Sequence, residues 1–228
     1  MLSHVHAAAN CGALADVIVA TDSEEVLDLC ASRGWHAMMT AADHHSGTDR
    51  VYEVASRVAA DVYVNIQGDE PLARSEHIEA LLQLMRSSEV EVGTLMTVCA
   101  AQDVQNPHAV KVVVDDRGRA LYFSRAAIPF DRDGKSQAAY FKHLGFYAYR
   151  LAALKHSRSL PVGRLEQTER LEQLRFLEHG IAIHVAKVPY DTIGVDTTAD
   201  LERVEAILQA RRSEAAGSQR KRLKESTR

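Results

Sequence analysis

Apolar runs of strand length alternating with amphipathic segments predict an α/β protein, a doubly wound, mostly parallel sheet with an antiparallel insertion. Three observations support this fold. The runs at 16–21, 62–66 and 93–100 are separated by enough chain for helical crossovers, which parallel pairing requires. Between 110–114 and 120–124 only the turn Asp115-Asp116-Arg117-Gly118-Arg119 intervenes, too little for a crossover, so that pair is antiparallel. With 228 residues, 46% hydrophobic and 25% charged, the chain can bury a full core. The expected organisation is one domain over 1–210, with the antiparallel insertion at 105–150.

The elements follow in order. After the strand at 16–21, Asp22-Ser23-Glu24-Glu25 caps and opens a helix that runs to Gly34. A short strand at 35–40, a polar loop at 43–48 and a helix at 49–59 lead to the strand at 62–66. A helix near 75–88 precedes the strand at 93–100. Beyond the hairpin come a strand at 141–149, a helix at 165–179, a return strand at 182–185 and a helix at 198–210. Residues 211–228 are rich in Arg, Lys, Ser and Glu and nearly free of apolar side chains, so a frayed, solvated tail is expected there.

Charge and composition exclude several function classes. A net charge of −4 and a pI near 6.3 give no overall basic field, so nucleic acid is not the expected partner. No apolar run reaches the roughly 18–20 residues that a bilayer demands, and the N-terminus has no signal-peptide core, so no membrane partner and a cytoplasmic setting are expected. Cys11, Cys30 and Cys99 are odd in number and widely spaced, which argues against a disulfide framework or a zinc site.

The most informative stretch is Asp61 to Pro71. An alternating apolar strand stops at Gly68 and presents Asp69 and Glu70 before a proline. Ligands of open α/β sheets sit beyond the carboxyl ends of strands, and Gly68 permits a sharp turn and a close approach. Asp69 is a hard oxygen donor suited to Mg²⁺, which usually takes one or two carboxylates and fills its other positions with water and phosphate oxygens. Asp196, in Ile193-Gly194-Val195-Asp196-Thr197, likewise follows a strand and a glycine. Either aspartate alone could simply cap a turn or a helix. Together they favour a metal–phosphate site. His44 and His45 have no third ligand at suitable spacing, so they are not assigned to a metal.

Eight blocks in order resemble one family. They are Asp43-His44-His45-Ser46-Gly47-Thr48-Asp49-Arg50, Asn65 to Pro71, Asn106-Pro107-His108-Ala109-Val110-Lys111-Val112-Val113, Ala120-Leu121-Tyr122-Phe123-Ser124-Arg125, Ile128-Pro129-Phe130-Asp131-Arg132-Asp133, His143-Leu144-Gly145-Phe146-Tyr147-Ala148-Tyr149-Arg150, Leu171-Glu172-Gln173-Leu174-Arg175 and Gly194-Val195-Asp196-Thr197. Their order and spacing are similar to those of 3-deoxy-manno-octulosonate (KDO) cytidylyltransferases. The resemblance implies a nucleotide-diphospho-sugar transferase fold, a homodimer, and coupling of CTP to KDO for lipopolysaccharide assembly. It implies Asp69 and Asp196 as catalytic Mg²⁺ ligands, and Gln67, His143, Tyr147, Glu172 and Gln173 as sugar contacts. Arg125 and Arg132 are expected to meet the KDO carboxylate or the CTP phosphates, because a guanidinium fork matches both. Ser46, Gly47, Thr48 and Arg50 suit the nucleotide, since a small-residue turn before a helix offers backbone N–H groups to an anion.

Two departures from the family shape the alternatives. Family members carry an initial strand and a basic, glycine-containing CTP loop, whereas Met1-Leu2-Ser3-His4-Val5 resembles the helix that follows that loop. Either the start has been placed too late, or the chain is shortened; a missing central strand should expose ladder groups and apolar side chains of its neighbour. Arg164 and Gln167 also depart from the usual stretch before Glu172. The alternatives are therefore a cytidylyltransferase for another acidic sugar, such as sialic acid or 8-amino-KDO, and a noncatalytic binding subunit.

Overall fold

The computed structural model describes residues 1–44, 46–134, 139–195 and 197–225. Its order is α1 (Leu2–Ala9), β1 (Val19–Thr21), α2 (Glu24–Arg33), β2 (Ala37–Met39), α3 (Gly47–Arg57), β3 (Tyr63–Asn65), α4 (Ser75–Leu84), β4 (Val92–Val98), β5 (Lys111–Val114), β6 (Ala120–Ser124), β7 (Phe141–Tyr149), α5 (Leu151–Ser159), α6 (Arg164–Glu169), α7 (Leu174–Glu178), β8 (Ile183–Lys187) and α8 (Thr198–Glu225). Local chemistry sets several boundaries. Ser23 accepts a hydrogen bond from Val26 N to start α2, and Gly34, at φ 67°, closes it in the left-handed region. Ser46 caps α3 by accepting from Asp49 N, which starts that helix at Gly47 rather than Asp49.

The α/β reading holds, and the sheet is mixed. β3, β4, β5 and β8 run in one direction, while β6 and β7 run against them. β7 pairs with both β3 and β4, so the antiparallel insertion contributes a strand to the middle of the sheet. Alternation along β4 and β7 sends side chains to two cores. Val92, Met96, Tyr147 and Tyr149 join Leu154, Leu174 and Phe176 on one face, whereas Leu95, Leu144 and Phe146 join Leu81 of α4 and Met85 at its end on the other. Helices thus cover both faces, as a doubly wound sheet requires.

β1 and β2 form a separate two-stranded parallel sheet. A cavity of about 430 Å³ lies between β1 and β3, lined by 17–20, 62–68 and side chains of α1 and α3.

Three elements differ from the sequence pattern. Residues 151–159 form α5, which buries Ala153 and Leu154. The helix expected over 165–179 is two short helices, broken where Arg170 adopts φ 54°. Glu169 explains the break: its carboxylate accepts from Ser124 Oγ at 2.6 Å and Arg125 N at 2.9 Å, docking the end of α6 on β6. The expected frayed tail is instead helical through Glu225, in keeping with its Ala, Glu, Lys, Arg and Gln content.

Candidate active site

A bulge in β7 builds the centre of the site. β4 pairs Thr94 with Tyr147 and then Leu95 with Leu144, so Gly145 and Phe146 have no opposite residue. On a regular strand residues four apart are separated by about 13 Å. Here the His143 and Tyr147 rings approach to 5.5 Å between centroids, and Tyr147 stacks on Tyr149 at 5.6 Å. The sequence placed His143 and Tyr147 on one face; the bulge is what makes them neighbours.

Opposite this aromatic wall stands the turn between α6 and α7. Glu172 and Gln173 lie in that turn and not on a helix, so both reach the same space. A two-point ion pair, Arg175 Nε to Glu166 Oε2 at 2.7 Å and Nη2 to Oε1 at 2.6 Å, braces the corner. The resulting cavity of about 200 Å³ is lined by Gln67, His143, Tyr147, Glu172 and Gln173, together with Thr48, Asn65, Gly145, Tyr149, Leu171 and Phe176. That volume lies below the roughly 300 Å³ at which drug-sized pockets begin, so it suits a sugar better than a nucleotide.

Burial disfavours charge on the side chains of this cavity. It lowers the His143 pKa to about 3, with a smaller push from Lys142, so the imidazole is neutral near pH 7. It raises Tyr147 well above the usual phenol value. It also raises Glu172, against the hydroxyls of Thr48 and Ser46, which pull the other way. The Tyr147 hydroxyl is buried with no close hydrogen-bond partner among the described residues, only a weak bond with the Thr94 hydroxyl pulling against burial. Such a group calls for a polar ligand.

The rim is acidic. Val195 N donates to Asp69 O at 3.0 Å, which holds the segment leading to residue 196 against the end of β3. Asp196 itself lies outside the described residues. The Glu70 carboxyl sits between Gly145 and Gly194, and its Oε2 is buried without a partner among the described residues. Burial, then the Asp69 charge, raise its pKa to about 7, against the Thr192 hydrogen bond. Glu70 and Asn65 are site features that sequence reasoning passed over, although both flank the Gln67–Asp69 segment.

The remaining candidates divide. Thr48 is buried, with Oγ1 at 3.3 Å from Tyr149 Oη, and so lines the sugar-sized cavity rather than a separate nucleotide surface. Gly47 packs against Gln67: a Cβ there would stand 2.7 Å from Gln67 Nε2. Gly47→Ala should therefore leave the fold intact and displace the Gln67 amide. A raised KM for the sugar at an unchanged unfolding midpoint is the expected result, and unaltered kinetics would contradict it. Arg50 is bound to Asp22 at 3.2 Å and to Thr40. Arg125 does not line the cavity; its guanidinium donates to the carbonyls of Pro107, Glu169 and Arg170. Arg132 is exposed.

Fold and site together define a class, the α/β nucleotidyltransferases. A structure named for a glucose-1-phosphate thymidylyltransferase from Bacillus anthracis superposes with a TM-score of 0.62 at 15% identity over 90% of this chain and 81% of that one, a likeness of fold alone. The cytidylyltransferase family profile matches residues 1–183. The chain belongs to the 3-deoxy-manno-octulosonate cytidylyltransferases: it is 63% identical to the protein of that name from Koribacter versatilis, over 92% of this chain and 81% of the relative. It is 44% identical to the Escherichia coli protein of the same name, over 95% and 88%. A structure of CMP:2-keto-3-deoxy-manno-octonic acid synthetase complexed with CTP has a TM-score of 0.87 at 44% identity, over 92% and 88%.

Proposed function

We propose that the protein couples CTP to KDO, giving CMP-KDO and pyrophosphate. The observation that carries this reading is one cavity in which Gln67, His143, Tyr147, Glu172 and Gln173 converge. They are the five side chains that the family resemblance assigns to the sugar. The relatives named above are KDO enzymes, not sialic acid or 8-amino-KDO enzymes, which favours KDO among acidic sugars.

The reaction needs positioning more than acid–base chemistry. The anomeric hydroxyl of KDO attacks the α-phosphorus in line; an O–P bond forms, the α–β phosphoanhydride breaks, and the hydroxyl proton passes to solvent. Neutral His143 and protonated Tyr147 read sugar hydroxyls by hydrogen bonds, while Glu172 and Gln173 close the other side. The N-terminus of α3, with Ser46 and Gly47, offers backbone N–H groups to the triphosphate.

Magnesium fits the rim. Asp69 and Asp196 would hold it, the hydrogen bond from Val195 N to Asp69 O keeping the two segments adjacent. When bound, the ion neutralises phosphate charge. Among the described residues no group of three ligands forms a cage, and Mg²⁺ bound through one or two carboxylates needs none.

Pyrophosphate release from CTP and Mg²⁺ with KDO, sialic acid or 8-amino-KDO, with the product identified by mass spectrometry, tests this reading. KDO-dependent release with CMP-KDO formed is expected. Release with the amino sugar alone, or with no sugar of the three, would overturn it.

A further inference from the structure

The sugar-facing histidine is held by a residue that does not line the cavity. Thr94 of β4 is fully buried beside the β7 bulge. Its Oγ1 lies 2.8 Å from Phe146 O, 3.3 Å from Leu144 O and 3.0 Å from His143 Nε2. The bulge causes this crowding, because it removes the β4 partners that residues 145 and 146 would have had.

A hydroxyl has one hydrogen, and carbonyl oxygens can only accept. The hydrogen goes to Phe146 O, the shorter of the two carbonyl contacts. Two lone pairs would then face each other at 3.0 Å unless His143 Nε2 carries a proton. Turning the hydroxyl toward the imidazole instead would leave Phe146 O, 2.8 Å away, facing a lone pair in a buried site, the costlier arrangement. Burial keeps the ring neutral, so a proton on Nε2 leaves Nδ1 bare.

We propose that Thr94 is a positioning residue that fixes His143 as the Nε2–H tautomer, so that Nδ1 accepts a hydrogen bond from a substrate hydroxyl. The assignment deepens the sugar-binding reading and rests on it for the identity of the ligand. It also sets a specificity rule. The subsite beside His143 takes a group that can donate, namely a sugar hydroxyl, and turns away a carboxylate or phosphate, which can only accept. Tyr147, whose buried hydroxyl makes no close hydrogen bond among the described residues and only a weak one with Thr94, stands 5.5 Å from the imidazole, ring to ring, and can donate to the same sugar oxygen.

The test is ¹⁵N NMR of the histidine side chains, with the His143 signals identified by their loss in His143→Gln, alongside steady-state kinetics for Thr94→Ser and Thr94→Val. In the wild type, Nε2 should give a protonated, pyrrole-type resonance and Nδ1 a pyridine-type one, and addition of KDO should shift Nδ1. Thr94→Ser keeps the hydroxyl and should keep both the tautomer and the KM. Thr94→Val should release the tautomer and raise the KM for KDO about 10- to 100-fold with the KM for CTP unchanged. A pyridine-type Nε2 in the wild type would overturn the proposal even if Thr94→Val failed to fold, and so would a Thr94→Val protein with unchanged tautomer and KM. If the wild type shows the Nε2–H tautomer but no KDO-dependent turnover, the tautomer assignment stands and the KDO reading falls.

Discussion

Asp69→Asn is expected to lower kcat by about a thousandfold or more while leaving stability within roughly 0.5 kcal/mol of the wild type. The change removes a charge and retains shape. The hydrogen bond holding residue 195 runs to the Asp69 main-chain carbonyl, so the exchange leaves that tie in place. Lost turnover in a folded Asp69→Asn protein would then report chemistry at the carboxylate. Single-turnover pyrophosphate release, paired with urea unfolding, separates the two. Near-normal turnover would remove Asp69 from the reaction and reduce it to a turn residue.

Lys111→Met should be the most destabilising of the substitutions considered, by about 2–6 kcal/mol. Lys111 is fully buried, and Nζ donates to the carbonyls of Asn106 at 2.8 Å, Ala109 at 2.6 Å and Arg125 at 2.8 Å. An ammonium has three donors, and all three are used. Methionine fills most of the volume but takes the Nζ donor from the carbonyls of Ala109 and Arg125, each worth about 1–3 kcal/mol when left without a partner, while Asn106 O keeps the bond from Ala109 N at 3.2 Å. Lys111→Arg should not rescue stability, because a planar fork cannot converge on three oxygens as an ammonium can. Chemical denaturation reads both variants, and a loss below about 1 kcal/mol for Lys111→Met would contradict this account. The site should feel the change as well, since His143 N donates to Val110 O at 2.8 Å, next along the chain.

Parts of this site were legible in the sequence because they depend on short-range chemistry. The turn at Gly68 shortly after β3 and the carboxylate that follows it are marked by alternation, a glycine and a proline within a few residues. The β5–β6 hairpin is local in the same way. His143, Tyr147, Glu172 and Gln173 could be named only through resemblance, because nothing local marks them. What brings them together is a register shift between β4 and β7 and a left-handed residue at Arg170, features of pairing and docking that do not show as periodicity. Arg125 misled for a related reason. A guanidinium suits an anion, yet here three backbone carbonyls of neighbouring segments take it up. The placement of β7 between β3 and β4 is likewise set by topology, since the residues of β7 read as an ordinary strand.

The central claim is that the cavity beneath the β7 bulge is the sugar site. A crystal structure of the protein with KDO, Mg²⁺ and a nonhydrolysable CTP analogue tests it most directly. The account predicts the sugar between His143, Tyr147 and the Glu172–Gln173 turn, with one of its hydroxyls on His143 Nδ1 and its anomeric oxygen toward Asp69. A sugar bound elsewhere, with that cavity empty, would contradict it.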